Sequence, residues 1–348
     1  MPSLCLRRVL FLLIFLTGFF ESSFAALLAI DYGSDWIKAS LMKPGVPFDV
    51  LLNKDSKRKI QSSVAWKRDD RLFGSDAANL VRVALTCPNA HSMCPKASRF
   101  PSDSFTSLKL LQGAPYSSRA VSYFTQISTS DIVESARSTV ALRQSDGAEW
   151  STEELIAMQL AYVKQLAESV AGEPVHDVIL TVPPHYTQFE RDAVVDATEI
   201  AGLRTLTLIN DGTAVAVNYA MTRTFSSTPE YHVIYDAGAS STRATVVSFA
   251  AAEDPKTKSS YTQISVLGDG FDRSTSGTDL DRRLREILIE RFITQHRQDI
   301  RRDKRGMAKL WKEASRVKAI LSANTEAMST VAILQSLGLA KIDAIIDQ

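Results

Sequence analysis

The sequence predicts a two-lobed α/β fold within 348 residues, and three observations carry that prediction. Apolar strands alternate with helical patterns from His176 to Met221, the signature of a parallel sheet covered by helices. Two stretches, "LLAIDYGSDWIKASLM" from Leu27 and "YHVIYDAGASSTRATVVSF" from Tyr231, have the same form: a strand, a break at Asp-x-Gly, and a second strand. The length accommodates two lobes, one opening at each of these hairpins.

Residues 1–26 carry two arginines, an apolar run from Val9 to Phe20 and small residues at Ala25 and Ala26, which reads as a cleaved secretory signal. An uncleaved anchor is the alternative, although the run falls short of the roughly 20 residues that span a bilayer. Lobe one is expected over residues 27–225. Its strands are predicted at Leu27 to Ile30, Trp36 to Met42, Phe48 to Asn53 and Ser63 to Trp66, followed by a less regular region from Arg71 to Tyr116. "STEELIAMQLAYVKQLAESVAG" is a helix capped at Ser151 or Thr152 and closed by Gly172. "HDVILTVPP" and "TLTLIN" are strands, and "TQFERDAVVDATEIAG" and "DGTAVAVNYAM" are helices. The polar segment from Thr222 to Glu230 marks the boundary to lobe two, residues 226–348. There the second hairpin leads into the strand "YTQISVLGDG", a helix from about Thr278 and a helix through "MAKLWKEASRVKAILSA".

Net charge is +1, without the basic excess of a nucleic-acid binder. Beyond the leader no run is long and apolar enough for a membrane helix, so no membrane insertion is expected after signal cleavage. Cys87 and Cys94, in "LTCPNAHSMCP", are read as a local disulfide of an oxidising compartment. The competing zinc reading has only His91 as a further ligand where structural sites need four.

An aspartate at a strand end, followed by a tight turn, offers a carboxylate for hydrated magnesium beside backbone N–H groups that suit phosphate. Gly33 and Gly238 let the backbone approach closely, and Ser34, Ser241 and Thr242 add hydroxyl donors. One Asp-x-Gly is ordinary turn chemistry. Two, one per lobe, can clamp a nucleoside triphosphate across a cleft. Neither a Gly-x-x-x-x-Gly-Lys-Ser/Thr loop nor a Gly-x-Gly-x-x-Gly occurs.

Between Val178 and Met221, "VILTVPPHYTQFERDAVVDATEIAGLRTLTLINDGTAVAVNYAM" resembles the connecting segment of the seventy-kilodalton heat-shock chaperones, with Thr-Val-Pro, Ala-Gly-Leu and Ile-Asn-acid-x-Thr-Ala in order. With the leader and "INDGTA", it is most similar to the large lumenal branch, the hypoxia up-regulated or glucose-regulated class of the endoplasmic reticulum. The resemblance runs from Leu27 to about Glu326. It implies the actin, hexokinase and heat-shock chaperone ATPase fold, ATP or ADP with Mg2+, and residence in the endoplasmic reticulum lumen. The implied function is a chaperone assisting folding, with a second role as nucleotide exchange factor for the main lumenal chaperone. Implied partners are that chaperone and unfolded proteins.

Residue by residue, the resemblance implies that Asp31 and Asp236 hold the waters of magnesium. Gly33, Ser34, Asp35, Gly238, Ala239, Ser240 and Ser241 surround the phosphates, and Gly277 and Lys318 face ribose and adenine. Lys109 and Asp211 are the implied catalytic pair, orienting the γ-phosphate and the attacking water, and Pro183 relays nucleotide state. The plain alternatives are a solvated lysine at Lys109, a helix start at Gly277 and an exposed charge at Lys318. Three departures stand out. Ala239 and Ser240 replace glycines of the family's phosphate turn, Arg243 replaces an acid that assists the metal, and Asp211 is one methylene shorter than the usual glutamate. A displacement near 1 Å can cost about a hundredfold in a positioned reaction, so nucleotide binding is better supported than hydrolysis.

A sugar or acetate kinase on the same fold is the enzymatic alternative, and an actin-like filament subunit the structural one. No sugar-binding loop with a catalytic base is recognisable between the hairpins, and a secretory leader disfavours both. The tail "LQSLGLAKIDAIIDQ" faintly resembles a helix and strand that precede a glycine-rich turn of the family. The expectation is therefore an incomplete lobe two, without a peptide-binding domain, whose helices expose apolar area around Trp311 and Ile320.

Overall fold

The computed structural model describes residues 26–79, 103–335 and 338–347. The leader and the Cys87 and Cys94 loop lie outside the described residues.

Alternation of buried Leu28, Ile30 and Tyr32 with polar-side neighbours makes β1 (Leu27–Tyr32) a core strand, and β2 (Trp36–Met42) returns beside it with Ile37, Ala39 and Leu41 buried. A short β3 (Ile60–Gln61) follows β2 in the sheet. The expected strand from Phe48 to Asn53 is reduced to a single bridge from Val50 to Ser40. Phe48 is exposed, and the Asn53 side chain accepts from the N–H groups of Asp55 and Lys57, folding that stretch into a turn.

A small sheet of β4 (Ser63–Lys67), β5 (Asp70–Phe73) and β6 (Ser104–Thr106) comes next, with helix α1 (Gly74–Asn79) against it. A 3-10 turn, Leu108–Leu110, carries Lys109 and leads to α2 (Arg119–Ile127). A further sheet, β7 (Asp131–Glu134), β8 (Val140–Arg143) and β9 (Glu149–Ser151), precedes the long helix and was not anticipated. Helix α3 (Thr152–Ala171) starts at a capping box in which Ser151 and Glu154 satisfy each other's backbone N–H, and ends at Gly172 with φ 68°. Strand β10 (Asp177–Val182), helix α4 (Gln188–Ile200) and strand β11 (Arg204–Asn210) complete the parallel part. The main sheet of lobe one thus has the order β11-β10-β1-β2-β3, parallel from β11 to β1 and antiparallel beyond.

Helix α5 (Asp211–Ala220) leaves β11 and packs on the second sheet, β12 (Glu230–Ala237), β13 (Thr242–Glu253) and β14 (Ser260–Asp272). Ala216, Val247 and Phe249 form the centre of that contact. Helices α6 (Gly277–His296) and α7 (Lys304–Leu321) pack on each other through Leu288, Ile289, Phe292, Leu310, Ala314 and Val317. The tail, expected as helix and strand, is an antiparallel hairpin of β15 (Glu326–Gln335) and β16 (Gly338–Asp347) lying on both helices.

Apolar exposure is not where the sequence placed it. Trp311 packs against the core of lobe one with the Arg285 guanidinium 5.2 Å from its ring, and Ile320 joins the α6–α7 core. The open area is on β12, where Tyr231, Val233 and Tyr235 are 70%, 65% and 70% exposed. Among the described residues β12 has β13 as its sole neighbour, whereas β1 sits between β2 and β10.

Phe292 is fully buried between α6 and α7. Phe292→Ala is expected to destabilise the second lobe by about 3–5 kcal/mol. Urea unfolding followed by Trp311 fluorescence checks this, and an unchanged midpoint would show that the helices are not packed as described.

Candidate functional site

The two hairpins close by the same bond at the same place. Gly33 N–H donates to the Trp36 carbonyl at 3.0 Å, and Gly238 N–H donates to the Ser241 carbonyl at 3.0 Å. A Cβ on Gly33 would stand 2.4 Å from the Trp36 oxygen, so that turn requires glycine for space, and one on Gly238 would stand 3.0 Å from that of Ser241, a tight contact.

Each hairpin also sets a cation across the ladder from its acid. Asp31 pairs in register with Lys38, whose Nζ lies 2.8 Å from the carboxylate; Asp236 pairs with Arg243, whose Nη2 lies 2.9 Å away. Thr181 at the end of β10 donates a further bond to Asp31 at 3.0 Å. Burial alone would raise the Asp31 carboxyl, but the hydrogen bond and charge of Lys38, the charge of Lys109 and the Thr181 bond together hold it below the usual range. Asp236 is pushed up by burial and by the charge of Asp31, with the charges of Lys38 and Lys109 opposing.

Lys109 is partly buried and donates to the Tyr32 carbonyl at 2.5 Å, rather than lying free in solvent. Burial and the neighbouring Arg243 bring its ammonium down to about 8, with Asp31 and Asp236 opposing. Asp211 occupies the first turn of α5. One of its oxygens accepts from the Gly212 N–H at 2.8 Å and the other forms an ion pair with Arg243. Arg243 therefore joins the start of α5 to the acid of the second hairpin.

The hairpin tips meet. Ser34 Oγ donates to Ser240 Oγ at 2.7 Å, and Ser62 holds the first tip by donating to the Gly33 carbonyl at 2.7 Å. The carbonyls of Gly238 and Ala239 accept from the N–H groups of Gly277 and Thr278 at 3.0 and 2.8 Å, docking the start of α6 onto the second tip. Lys318, implied by the resemblance to face the nucleoside and on the plain alternative an exposed charge, reaches back from α7 to the Gly277 carbonyl at 2.9 Å and to Asp281 at 2.8 Å. Burial raises the carboxyls of Asp35 and Asp281, with Lys318 opposing in both. Beyond Pro183 the chain turns, with Tyr186 N–H donating to the Pro183 carbonyl at 3.1 Å, and His185 stacks on Phe271 of β14 at 3.8 Å.

The thirteen residues read from the sequence as catalytic, binding or metal-holding, Asp31, Gly33, Ser34, Asp35, Lys109, Asp211, Asp236, Gly238, Ala239, Ser240, Ser241, Gly277 and Lys318, lie on the segments that converge at this cleft. Sequence reasoning missed Lys38, Ser62, Thr181 and Asp281. A signal for Lys38 was available, because it follows Asp31 at the same offset as Arg243 follows Asp236.

The two glycine turns thus face each other across a cleft in a mixed α/β fold. Residues 27–341 match the family described as Hsp70 protein, and the chain belongs to the Hsp70 family. It is 39% identical over 332 residues to Heat shock protein 70 homolog lhs1 of Schizosaccharomyces pombe, covering 93% of this chain and 37% of that protein. It is 38% identical over 338 residues to Hypoxia up-regulated protein 1 of Xenopus laevis, covering 95% of this chain and 49% of that protein. With the Danio rerio protein of the same name it shares 38% identity over 317 residues, 88% of this chain and 30% of the relative. The chain thus spans between about a third and a half of the length of the curated relatives it matches.

Lys109 yields a pH signature. Its native value near 8 lies below the ordinary 10.5, so the unfolded chain binds this proton more tightly than the native one. The group's penalty is fully present below pH 8 and is relieved as pH rises from 8 toward 10.5, where its contribution to stability increases. Acetylation of Lys109 by an amine-selective ester, followed by mass spectrometry, is expected to show a midpoint near 8, and Arg243→Met is expected to raise it. A midpoint at the ordinary lysine value would mean that the ammonium is not enclosed.

Proposed function

We propose that the cleft binds ATP or ADP and that the chain is the nucleotide-binding part of a chaperone of the endoplasmic reticulum lumen. The observation that carries the reading is the pair of matched hairpins, each with an acid, a space-limited glycine turn and a hydroxyl, meeting at Ser34 and Ser240. Gly33, Ser34, Asp35, Gly238, Ala239, Ser240 and Ser241 are the proposed phosphate cradle. Gly277 and Lys318 are proposed to face the nucleoside, and Lys109 and Asp211 to orient the γ-phosphate and a water. A magnesium ion arriving with the nucleotide would be held through its waters by Asp31 and Asp236 and would supply charge neutralisation. It could engage both acids only by loosening their bonds to Lys38 and Arg243.

In the whole protein we assign folding assistance to unfolded lumenal clients, and exchange-factor action on a lumenal heat-shock-type chaperone. Family membership, the relatives' heat-shock and hypoxia up-regulated names and the secretory reading of residues 1–26 support this assignment. No helix among the described residues is long and apolar enough to cross a membrane. Weak ATP hydrolysis is assigned to the complete protein.

Ala239→Trp, which fills the cradle from the turn itself, is expected to weaken ADP and ATP binding by more than about tenfold in calorimetry while leaving the melting temperature unchanged. Undiminished affinity would remove the cradle from the hairpin tips. Faster release of labelled ADP from a lumenal heat-shock chaperone in the presence of the chain would identify exchange-factor action, and an unchanged rate would exclude it for this chain.

A further inference from the structure

The residue that the nucleotide reading leaves unused is Arg243, at the position where the family resemblance implies an acid. Replacing an acid with arginine removes one negative charge and adds one positive charge, and the sum of the two changes is the charge of a divalent cation. Arg243 stands where such charge would act. Its guanidinium lies between Asp236 and Asp211, its side chain is only 15% exposed, and its Nη2 lies 3.7 Å from the Cβ position of Gly238, the turn that would cradle phosphate. Its Nε is buried without a hydrogen-bond acceptor among the described residues. Asp31, Asp211 and Asp236 face Lys38, Lys109 and Arg243, so the acids are matched by cations without an ion. Among the described residues, no three side chains of the metal-binding types converge on one position.

We propose that Arg243 performs the charge neutralisation otherwise left to magnesium, so that this cleft binds a nucleoside di- or triphosphate without requiring a divalent ion. The inference rests on the nucleotide reading. A guanidinium is permanently charged, presents a planar fork of donors that fits phosphate oxygens, and gains strength where water is largely excluded. Phosphate entering beside Gly238 meets the arginine directly and can share it with Asp236. An acid at that position would instead demand a metal to bridge two anions.

The test is calorimetric titration of the purified chain with ADP and with ATP, in millimolar magnesium and in EDTA. The wild-type dissociation constants are expected to differ by less than about threefold between the two conditions. Arg243→Asp is expected to bind at least about tenfold more weakly in EDTA than in magnesium. Arg243→Gln, which adds no new charge, is expected to lose a similar factor in EDTA relative to wild type. A wild-type affinity that collapses in EDTA by about a hundredfold would overturn the inference and leave the nucleotide reading intact. Absence of binding in both conditions would overturn the nucleotide reading and the inference with it. Should Arg243→Asp fail to fold by near-ultraviolet dichroism, the wild-type comparison and Arg243→Gln decide the matter.

Discussion

Two carboxylates at the floor of one cleft repel each other, and the way that repulsion is relieved organises this molecule. Asp31 and Asp236 each sit at the end of a strand, and each finds its counter-charge on the neighbouring strand, Lys38 or Arg243, directly across the ladder. Register alone delivers the pairing, because a two-residue side-chain period returns the cation to the same face as the acid. Exposed pairs of this kind contribute little, about 0–1 kcal/mol. In the cleft their consequence is geometric. They orient both carboxylates, and through Arg243 they fasten the start of α5 to the second hairpin.

The remaining contacts follow from bringing those floors together. The hairpin tips touch through Ser34 and Ser240, so anything entering between the glycine turns must break that bond or replace it with its own acceptors. The second tip is not free to move alone, since its carbonyls cap the first N–H groups of α6. Helix α6 is in turn held to lobe one by Arg285, which donates to the Gln126 carbonyl at 2.7 Å, while Lys304, the first residue of α7, pairs with Asp131 at 2.5 Å. Displacement at the second glycine turn is thereby passed to the rim of the cleft through consecutive hydrogen-bonded elements.

Local patterns were legible and long-range pairings were not. The apolar strands "LLAIDY" and "DVILTV", the cap at Ser151 or Thr152 and the glycine at 172 each encode their element within a few residues, and the structure forms both strands and caps the helix at Ser151 and Gly172. The sheet of β7, β8 and β9 was invisible because its strands are three or four residues long and their apolar residues have no sustained period. Phe48 to Asn53 has strand composition, yet Asn53 diverts the backbone into a turn. Of the candidate site, the acids and glycines were readable from turn chemistry. Lys38 was passed over, because a lysine on a strand reads as a solvent-facing residue unless its offset from Asp31 is compared with that of Arg243 from Asp236 or the register places it opposite Asp31. Lys318 and Asp281 are brought together only by the packing of α7 on α6.

The two lobes contribute matching halves of the cleft from unequal foundations. Lobe one's half stands on a five-stranded sheet whose core runs continuously from Leu28 through Leu160, Val178 and Leu203. Lobe two's half stands on three strands, covered by α5 around Val247 and Phe249 and open along Tyr231, Val233 and Tyr235. With less apolar surface removed from water, the second sheet gains less of the main favourable contribution to folding. Its hairpin is consequently held in place by its contacts with lobe one as much as by its own core: Asp211 through Arg243, Ser34 through Ser240 and the His185 ring on Phe271. A ligand bridging both glycine turns adds to that same set of contacts. Its binding energy is then coupled to the ordering of the second lobe, and a ligand that binds only the closed arrangement stabilises the fold in proportion to the logarithm of its concentration.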